Sequence, residues 1–178
     1  GEIKNNHAKR SGGGVSIALS GARDSVFNMS GGTISGNTLT NTAGGTGKGV
    51  EFFTESTTHD ITYYTKMKMS GSAKVDINND VYVNESRMII VEGTLTPEGG
   101  IAAIITPKTY GGDKQVLGGD ITAGTAPNQN YAKFKVTPKD LGGGNKQQWK
   151  VDNDGKLCTE TVTVTGSASE RWKKLKEA

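Results

Sequence analysis

The sequence predicts an all-β protein: a parallel β-helix of a few coils, followed by a small β-rich capping module and a short C-terminal helix. The first observation behind this prediction is an imperfect, glycine-punctuated repeat. GEIKNN at residues 1–6 returns as GTISGN at residues 32–37, and NMSGG at residues 28–32 returns as KMSGS at residues 68–72. Because a unit of this size cannot bury its own apolar face, the repeat predicts that successive units stack on one another.

The apolar positions of the repeat align at offsets that grow along the chain. These offsets are 34 − 3 = 31 for Ile3 and Ile34, 50 − 15 = 35 for Val15 and Val50, and 69 − 29 = 40 for Met29 and Met69. The growth must be absorbed between the aligned positions, in the polar segments over residues 38–48 and 54–63. We predict that these two segments protrude as surface loops and tolerate change.

Within each unit the hydrophobic period is two, which is typical of short strands with one face inward. The alternation covers residues 15–19, 27–29, 67–69, 75–77 and 81–83. It places Ile77 on the inward face and pairs Phe27 with Met67. Asn6 and Asn37 align at a bend, where stacked side-chain amides can hydrogen-bond along the axis. A single antiparallel sandwich is the alternative fold, but the regular offsets favour the β-helix.

Composition and charge restrict the possible functions. The 178 residues include 26 glycines, which suits short strands joined by tight bends, and the net charge of +3 is too small to indicate nucleic-acid binding. No apolar run approaches the ~20 residues that span a bilayer, so no transmembrane segment is predicted in this chain. No N-terminal signal sequence is recognisable and Gly1 lies within a repeat, as expected for an excised or mature fragment of a longer protein.

The prolines predict a change of architecture near residue 96. All four lie after residue 95, at positions 97, 107, 127 and 138, and proline lacks the N–H that a strand between two neighbours donates. We therefore divide the chain into β-helix repeats over residues 1–95, a β-rich cap or module over residues 96–165, and a short basic helix or the start of a next module over residues 166–178. In the last part, Ser169 is a candidate N-cap, and Trp172 and Leu175 share one helix face.

The second part contains further strand signals. Strands are predicted over residues 101–106, 131–137, 149–151 and 157–164, with Asp154 and Gly155 as a hairpin turn. Three of the prolines are each preceded by an apolar residue and a threonine. We expect each of these three apolar-Thr-Pro triplets to end a strand. Cys158 is the only cysteine, which excludes an internal disulfide and a cysteine-based metal site. We expect its side chain to point inward from the strand that begins at Leu157.

No set of residues in the sequence predicts a catalytic centre. Cleavage of a polysaccharide requires carboxylates that converge on one bond, with a basic residue in reach. The nearest approach to such a set is Asp76, Asp80, Glu85 and Arg87, to which Glu51 or Glu55 of a neighbouring coil could be added. We interpret Asn78, Asn79 and Asp80 as a solvated bend and Asp76 as an outward-facing strand residue.

No cofactor or metal site is predicted either. His7 and His59 are isolated in polar loop sequence, without a second histidine at metal-ligand spacing. VDNDGK over residues 151–156 resembles half of a calcium loop but lacks the glutamate that would complete it, so a hairpin is the favoured interpretation.

Several segments resemble the repeat-rich surface proteins of spirochaetes such as treponemes. They are FNMSGGTISGN, INNDVYV, QVLGGD, YAKFKVTP, WKVDNDGKL and ERWKKLKEA. The GGTI tetrapeptide at residues 31–34 is also similar to the repeat of polymorphic outer-membrane proteins. Repeats of the spirochaete family fall in the pectin-lyase-like superfamily, so the resemblance implies that the β-helix is right-handed. It also implies a position on the extracellular side of the cell surface or outer membrane, with a structural or adhesive role and no catalytic residue.

Two classes of function follow. The first is a non-enzymatic surface protein whose β-helix displays loops to a host protein, matrix or glycan. The alternative is a carbohydrate-active or carbohydrate-binding β-helix domain, since the superfamily contains polysaccharide lyases and hydrolases. A row of exposed aromatic rings would favour glycan binding, because sugar faces stack on rings. The candidates for such a row are Phe53, Tyr63, Tyr64, Tyr82 and Tyr110. No oligomeric state is indicated.

Overall fold

A computed structural model describes residues 1–19, 23–41, 45–52, 56–58, 61–85 and 87–160, with only the backbone for residues 56–58 and 61–63. Apart from two short 3-10 turns, the regular secondary structure of the described chain is β-strand, and the predicted all-β class is confirmed. It contains two short 3-10 turns, Glu98–Gly100 and Asn130–Lys133, and no α-helix in the part described. The helix predicted over residues 166–178 lies outside the described residues.

The chain passes five times through a set of parallel strands, and we call each passage a circuit. The first circuit contains β1 (Glu2–Lys4), β2 (His7–Ala8), β3 (Val15–Ile17) and β4 (Ser25–Met29). The second contains β5 (Thr33–Ser35), β6 (Thr38–Leu39), β7 (Val50–Phe52), β8 (Ser56–Thr58), β9 (Ile61–Tyr63) and β10 (Thr65–Ser70). The third contains β11 (Lys74–Val75), β12 (Asp80–Val83) and β13 (Ile89–Glu92). The fourth contains β14 (Ala103–Pro107) and β15 (Leu117–Gly119), and the fifth contains β16 (Phe134–Val136). Four strands follow: β17 (Lys139–Gly142), β18 (Asn145–Gln147), β19 (Trp149–Val151) and β20 (Leu157–Thr159).

Strands of successive circuits form three stacks. The first stack has the order β1-β5-β11, and the third has the order β4-β10-β13-β15. The second has the order β3-β7-β12-β14-β16, with parallel pairing throughout, and β19 and β20 extend it by antiparallel pairing. Two small sheets, β2-β6 and β8-β9, include parts of the segments that were predicted as loops.

The registers predicted from the sequence offsets are confirmed. The Cα partners include Ile3 with Ile34, Val15 with Val50, Phe27 with Met67 and Met29 with Met69. Side chains on the inward faces form one apolar core that runs through all five circuits. Ile34, Val50 and Met69 are fully buried, whereas Ile3 and Val15 are only partly buried. The first circuit forms the edge of each stack, so its inward side chains have a neighbouring circuit on one side alone.

A ladder of asparagine side chains holds the bend at which the chain leaves the first stack. The Asn37 Oδ1 atom accepts hydrogen bonds from the backbone N–H and the side-chain amide of Asn6, at 2.9 and 3.0 Å. Asn79 Oδ1 accepts the equivalent pair from Asn37, both at 3.1 Å. The predicted alignment of Asn6 with Asn37 is confirmed. The prediction that Asn79 is a solvated bend residue is wrong, because Asn79 is 1% exposed and continues the ladder.

Parallel pairing continues beyond residue 95. β12 pairs with β14 and β13 pairs with β15, so the fourth circuit adds directly to the third. Within the second stack, pairing becomes antiparallel between Lys135 and Lys150, where β19 joins β16. The prolines therefore do not mark the change in pairing. Pro107 ends β14 as expected, and Pro97 instead precedes a 3-10 turn.

Three local predictions are wrong. Ile77 is 58% exposed because β11 ends at Val75, after which the alternation of a strand no longer applies. The strand predicted over residues 131–137 begins only at Phe134, since a 3-10 turn occupies its first part. Cys158 is half-buried rather than inward, because Leu157 takes the inward position in β20 and neighbouring strand residues point to opposite faces.

Candidate ligand-binding groove

A groove lies on the outer face of the second stack, beside segments of unequal length that flank its strands. In the second circuit a long connection containing β6 joins β5 to β7, whereas only residues 76–79 join β11 to β12 in the third circuit. In the fifth circuit the β17-β18 hairpin follows β16. The outward-facing side chains of the third and fourth circuits lie beside these segments and line the groove.

The groove has a volume of about 580 Å³ and is lined by residues of four successive circuits. The second circuit contributes Lys48, the third contributes residues 77–80, and the fourth contributes Ile104 and Thr106. The fifth circuit contributes residues 135–138. A smaller cavity of about 310 Å³ shares Lys48, Asn78 and Asn79 with the groove and extends it towards β6.

The groove surface mixes hydroxyl, amide and aliphatic groups. The Thr106 and Thr137 hydroxyls are hydrogen-bonded to each other at 2.7 Å across β14 and the end of β16. Ile77 is largely exposed, and Ile104 is half-buried beside it in the lining. Asn78 is exposed at the short bend between the first and second stacks. Such a surface can contact both the polar and the apolar parts of a ligand.

Next to Thr106 of β14, the neighbouring strands β12 and β7 carry the outward-facing side chains of Tyr82 and Glu51. The register pairs Tyr82 with Thr106 on one side and with Glu51 on the other. The Glu51 Oε1 atom accepts a 2.7 Å hydrogen bond from the Thr46 hydroxyl. Burial raises the pKa of the Tyr82 phenol, and the negative charges of Glu51 and Glu85 raise it further. Tyr82 therefore remains a neutral hydroxyl that can donate or accept a hydrogen bond.

Among the described residues, the candidate carboxylates Asp76, Asp80 and Glu85 each have a different partner. Asp76 lies directly after β11 of the first stack, and one of its carboxylate oxygens is 4.0 Å from the Lys74 ammonium. Asp80 is half-buried at the start of β12, and its Oδ1 atom accepts the backbone N–H of Lys48 at 2.7 Å. Glu85 lies after β12, 3.9 Å from Lys108. Glu55 lies outside the described residues.

Arg87 belongs to a separate cluster on the outer face of the third stack. It is 4% exposed, and its guanidinium carbon lies 4.7 Å from the centre of the Tyr64 ring. The side chain of Asp24 forms an ion pair with Lys66 and accepts the backbone N–H of Tyr64 at 2.8 Å. The hydrogen bond from Lys66, followed by that from Tyr64, holds the pKa of the Asp24 carboxyl below its usual value. The ring contact thus places Arg87 beside Tyr64 and the third stack rather than beside Asp76 and Asp80.

The three candidate aromatic side chains that the structure describes, Tyr64, Tyr82 and Tyr110, do not form one exposed row. Tyr110 is half-buried, packs against Trp149 at 5.6 Å and donates its hydroxyl to the Thr137 carbonyl at 2.7 Å. Burial raises its pKa. Tyr64 belongs to the third stack and Tyr82 to the second. The side chains of Phe53 and Tyr63 lie outside the described residues.

The polar residues considered for metal binding have structural contacts. His7 Nδ1 and the Thr38 hydroxyl are within hydrogen-bond distance, whereas His59 lies outside the described residues. Asp152 Oδ1 accepts the backbone N–H groups of Asp154 and Lys156, at 3.0 and 2.8 Å. The predicted hairpin at Asp154 and Gly155 is confirmed, since β19 and β20 pair on either side of it.

Metal-binding clusters and membrane-spanning helices are absent from the described residues. That part of the chain contains no group of three or more His, Cys, Asp or Glu side chains placed to hold a metal ion. Within the same ranges, no helix is long and apolar enough to cross a membrane. The thiol of Cys158 has a raised pKa, chiefly because of burial.

Sequence reasoning did not find the groove, although one signal pointed to it. The triplets Ile105-Thr106-Pro107 and Val136-Thr137-Pro138 recur at an offset of 136 − 105 = 31, and Ile105 and Val136 are Cα partners. When the triplets are interpreted only as the ends of strands, they do not indicate that their threonines share a surface. When the triplets are interpreted as aligned repeats, they place Thr106 and Thr137 side by side on the outward face of the second stack.

Comparison of the chain with protein-family models, with curated proteins and with solved structures gave no match.

Proposed function

We propose that this chain is a right-handed parallel β-helix that acts as a non-enzymatic binding protein of the bacterial cell surface. Its role is adhesive or structural, on the extracellular side of the surface or outer membrane, and its partner is a host protein, matrix or glycan. The location and the handedness come from the resemblance to spirochaete surface repeats. The stacked parallel strands and their common core support the β-helix part of the proposal.

The observation that carries the proposal is the groove of about 580 Å³ on the outer face of the second stack. Its base consists of strands that are paired with neighbours on both sides, so it is held by the same stacking that forms the core. Among the described residues, the one carboxylate of the lining is that of Asp80, which is engaged with the backbone of Lys48. A preformed groove whose side chains offer hydroxyl, amide, ammonium and aliphatic contacts suits binding.

A binding screen with a groove-filling variant tests the proposal. Labelled protein would be applied to immobilised matrix proteins and glycans, and Ile104→Trp would place a large ring in the groove. Binding to the recognised partner should weaken by at least about tenfold, because the ring occupies the contact surface. Val26→Trp is the matched control, since Val26 is 46% exposed on β4 at the edge of the third stack.

Three outcomes are informative. Loss of binding in Ile104→Trp but not in Val26→Trp supports the proposal. Equal binding by both variants, or no binding by the unmodified chain, contradicts it. Release of product from any glycan in the panel would favour the carbohydrate-active alternative.

A further inference from the structure

We propose that the groove binds an acidic polysaccharide, that is, a sugar chain carrying carboxylate or sulfate groups. This inference rests on the proposed binding function and adds the chemical class of the ligand. The positions of three lysines, the length of the groove and the chemistry of its base support it.

The lysines lie at both ends of the groove. Lys48 belongs to the second circuit and Lys135 to the fifth, and both are exposed. Lys150 is the direct cross-strand partner of Lys135 and is exposed on the same face. Like charges directly opposite each other are unfavourable in a sheet. An anion bound between Lys135 and Lys150 would relieve their repulsion.

None of these three lysines forms an ion pair with a carboxylate in the described part of the chain. By contrast, Lys66 and Lys68 on the third stack pair with Asp24 and Glu92. Asp80 is the one acid in the described lining of the groove, and it lowers the positive charge near Lys48. Lys48 and Lys135 outnumber Asp80 in the described lining, and an anionic group would be held most strongly at the Lys135 end. Asp152 and Glu160 lie beyond Lys150, where both act on the Cys158 thiol.

The spacing of the lysines favours a chain with several anionic groups. Lys48 precedes β7 and Lys135 lies in β16, and these strands are separated by three strand spacings in the second stack. With neighbouring strands ~4.8 Å apart, that separation is about 14 Å. An extended polyanion can place a separate anionic group beside the lysines at each end of the groove.

The base of the groove favours a sugar chain over an acidic peptide. Extended peptides commonly bind by adding a strand to a free sheet edge, but β12 and β14 are each paired on both sides. The available groups are side chains: the Thr106–Thr137 hydroxyl pair, the Asn78 amide and the aliphatic surface of Ile77. Sugar rings present hydroxyl groups along their edges and C–H groups on their faces, which matches this mixture.

The test measures binding of the full chain to heparin and hyaluronan, with neutral dextran, poly-glutamate and single-stranded DNA as comparison polymers. The double variant Lys135→Gln/Lys150→Gln should raise the dissociation constant for the acidic glycan by at least about tenfold, because charge-assisted hydrogen bonds are lost. Binding by the unmodified chain should weaken as ionic strength rises. Heparin carries sulfates whereas hyaluronan carries only carboxylates, so their relative affinity identifies the anionic group.

The control Lys9→Gln/Lys68→Gln removes the same charge from positions outside the groove and should leave binding within about twofold. The variant Lys135→Arg/Lys150→Arg keeps the charge and should retain binding, which excludes a folding defect as the cause of the loss. Equal weakening by the two glutamine pairs would overturn the inference, as would poly-glutamate or DNA binding as tightly as the glycans. If the chain binds only dextran or only a matrix protein, and Ile104→Trp weakens that binding, the acidic-polysaccharide inference is overturned. The proposed binding function would remain intact.

Discussion

The inner and outer faces of the second stack are built differently. On β7, β12 and β14, the inward positions are Val50, Val81 and Ile105, each fully buried in the common core. The outward positions beside them are Glu51, Tyr82 and Thr106, which differ in charge, size and hydrogen-bonding capacity. The inner residues resemble one another from circuit to circuit, and the outer residues do not.

The physical reason is the number of neighbours. An inward side chain packs against the circuits on either side and against the other stacks, so its volume and apolar character are restricted. An outward side chain contacts water on one side, and many residue types can be accommodated there. We therefore expect stability to depend on the inner face and ligand recognition on the outer face.

The largest effect should come from a matched pair on one strand. Ile105 is inward and fully buried, whereas Ile104 is outward and half-buried. Ile105→Ala should lower the free energy of unfolding by roughly 2–5 kcal/mol, because it opens a cavity in the core. Ile104→Ala should cost below about 1 kcal/mol. Chemical denaturation measures both, and equal costs would contradict the difference between the faces.

A smaller effect is expected in the asparagine ladder, which brings polar groups into the interior. Asn37→Ala should cost about 1–3 kcal/mol, since it removes the hydrogen bonds to the Ile3 carbonyl and Asn79 Oδ1 inside the fold. Asn6 lies at the exposed end of the ladder, where water can replace its contacts, so Asn6→Ala is the control. Urea midpoints would test this. A similar loss in both variants would show that burial does not decide the cost.

The smallest effect should be the pH dependence of an outer-face contact. The pKa of Asp24 is lowered in the folded chain, so this carboxylate contributes stability above its ordinary value of 3.8 and loses it as the pH falls through the folded-state value. Asp24→Asn should therefore lower the urea midpoint near neutral pH, with the difference shrinking in acid. Glu98→Gln, at an exposed 3-10 turn, serves as the control. A difference that grows in acid would contradict this sign.

The core register could be predicted from the sequence because apolar residues recur at measurable offsets. The offsets alone align Ile34 with Ile3 and Met69 with Met29, and the strands pair in that register. Each of these matches depends on local alternation and on the requirement that successive units bury a common face. Asn37 was found in the same way, since it recurs with the repeat.

The errors arose where the repeat is incomplete. Ile77 follows the end of β11, so its apolar character did not indicate burial. Asn79 lacks the surrounding repeat sequence of Asn37, and its burial depends on the third circuit stacking against the second. The change to antiparallel pairing at Lys135 has no local signal, because a strand such as β19 has the same alternation in either orientation.

The sequence by itself determined the strand period, the stacking partners of the first circuits and the all-β class, because these follow from short-range alternation and repetition. Only the tertiary structure decided which outward residues lie together. Lys48, Asn78, Thr106 and Lys135 come from four circuits, and they line one groove because the strands of these circuits lie next to one another in the second stack. That arrangement depends on how separate circuits are placed in space, which no single stretch of the sequence encodes.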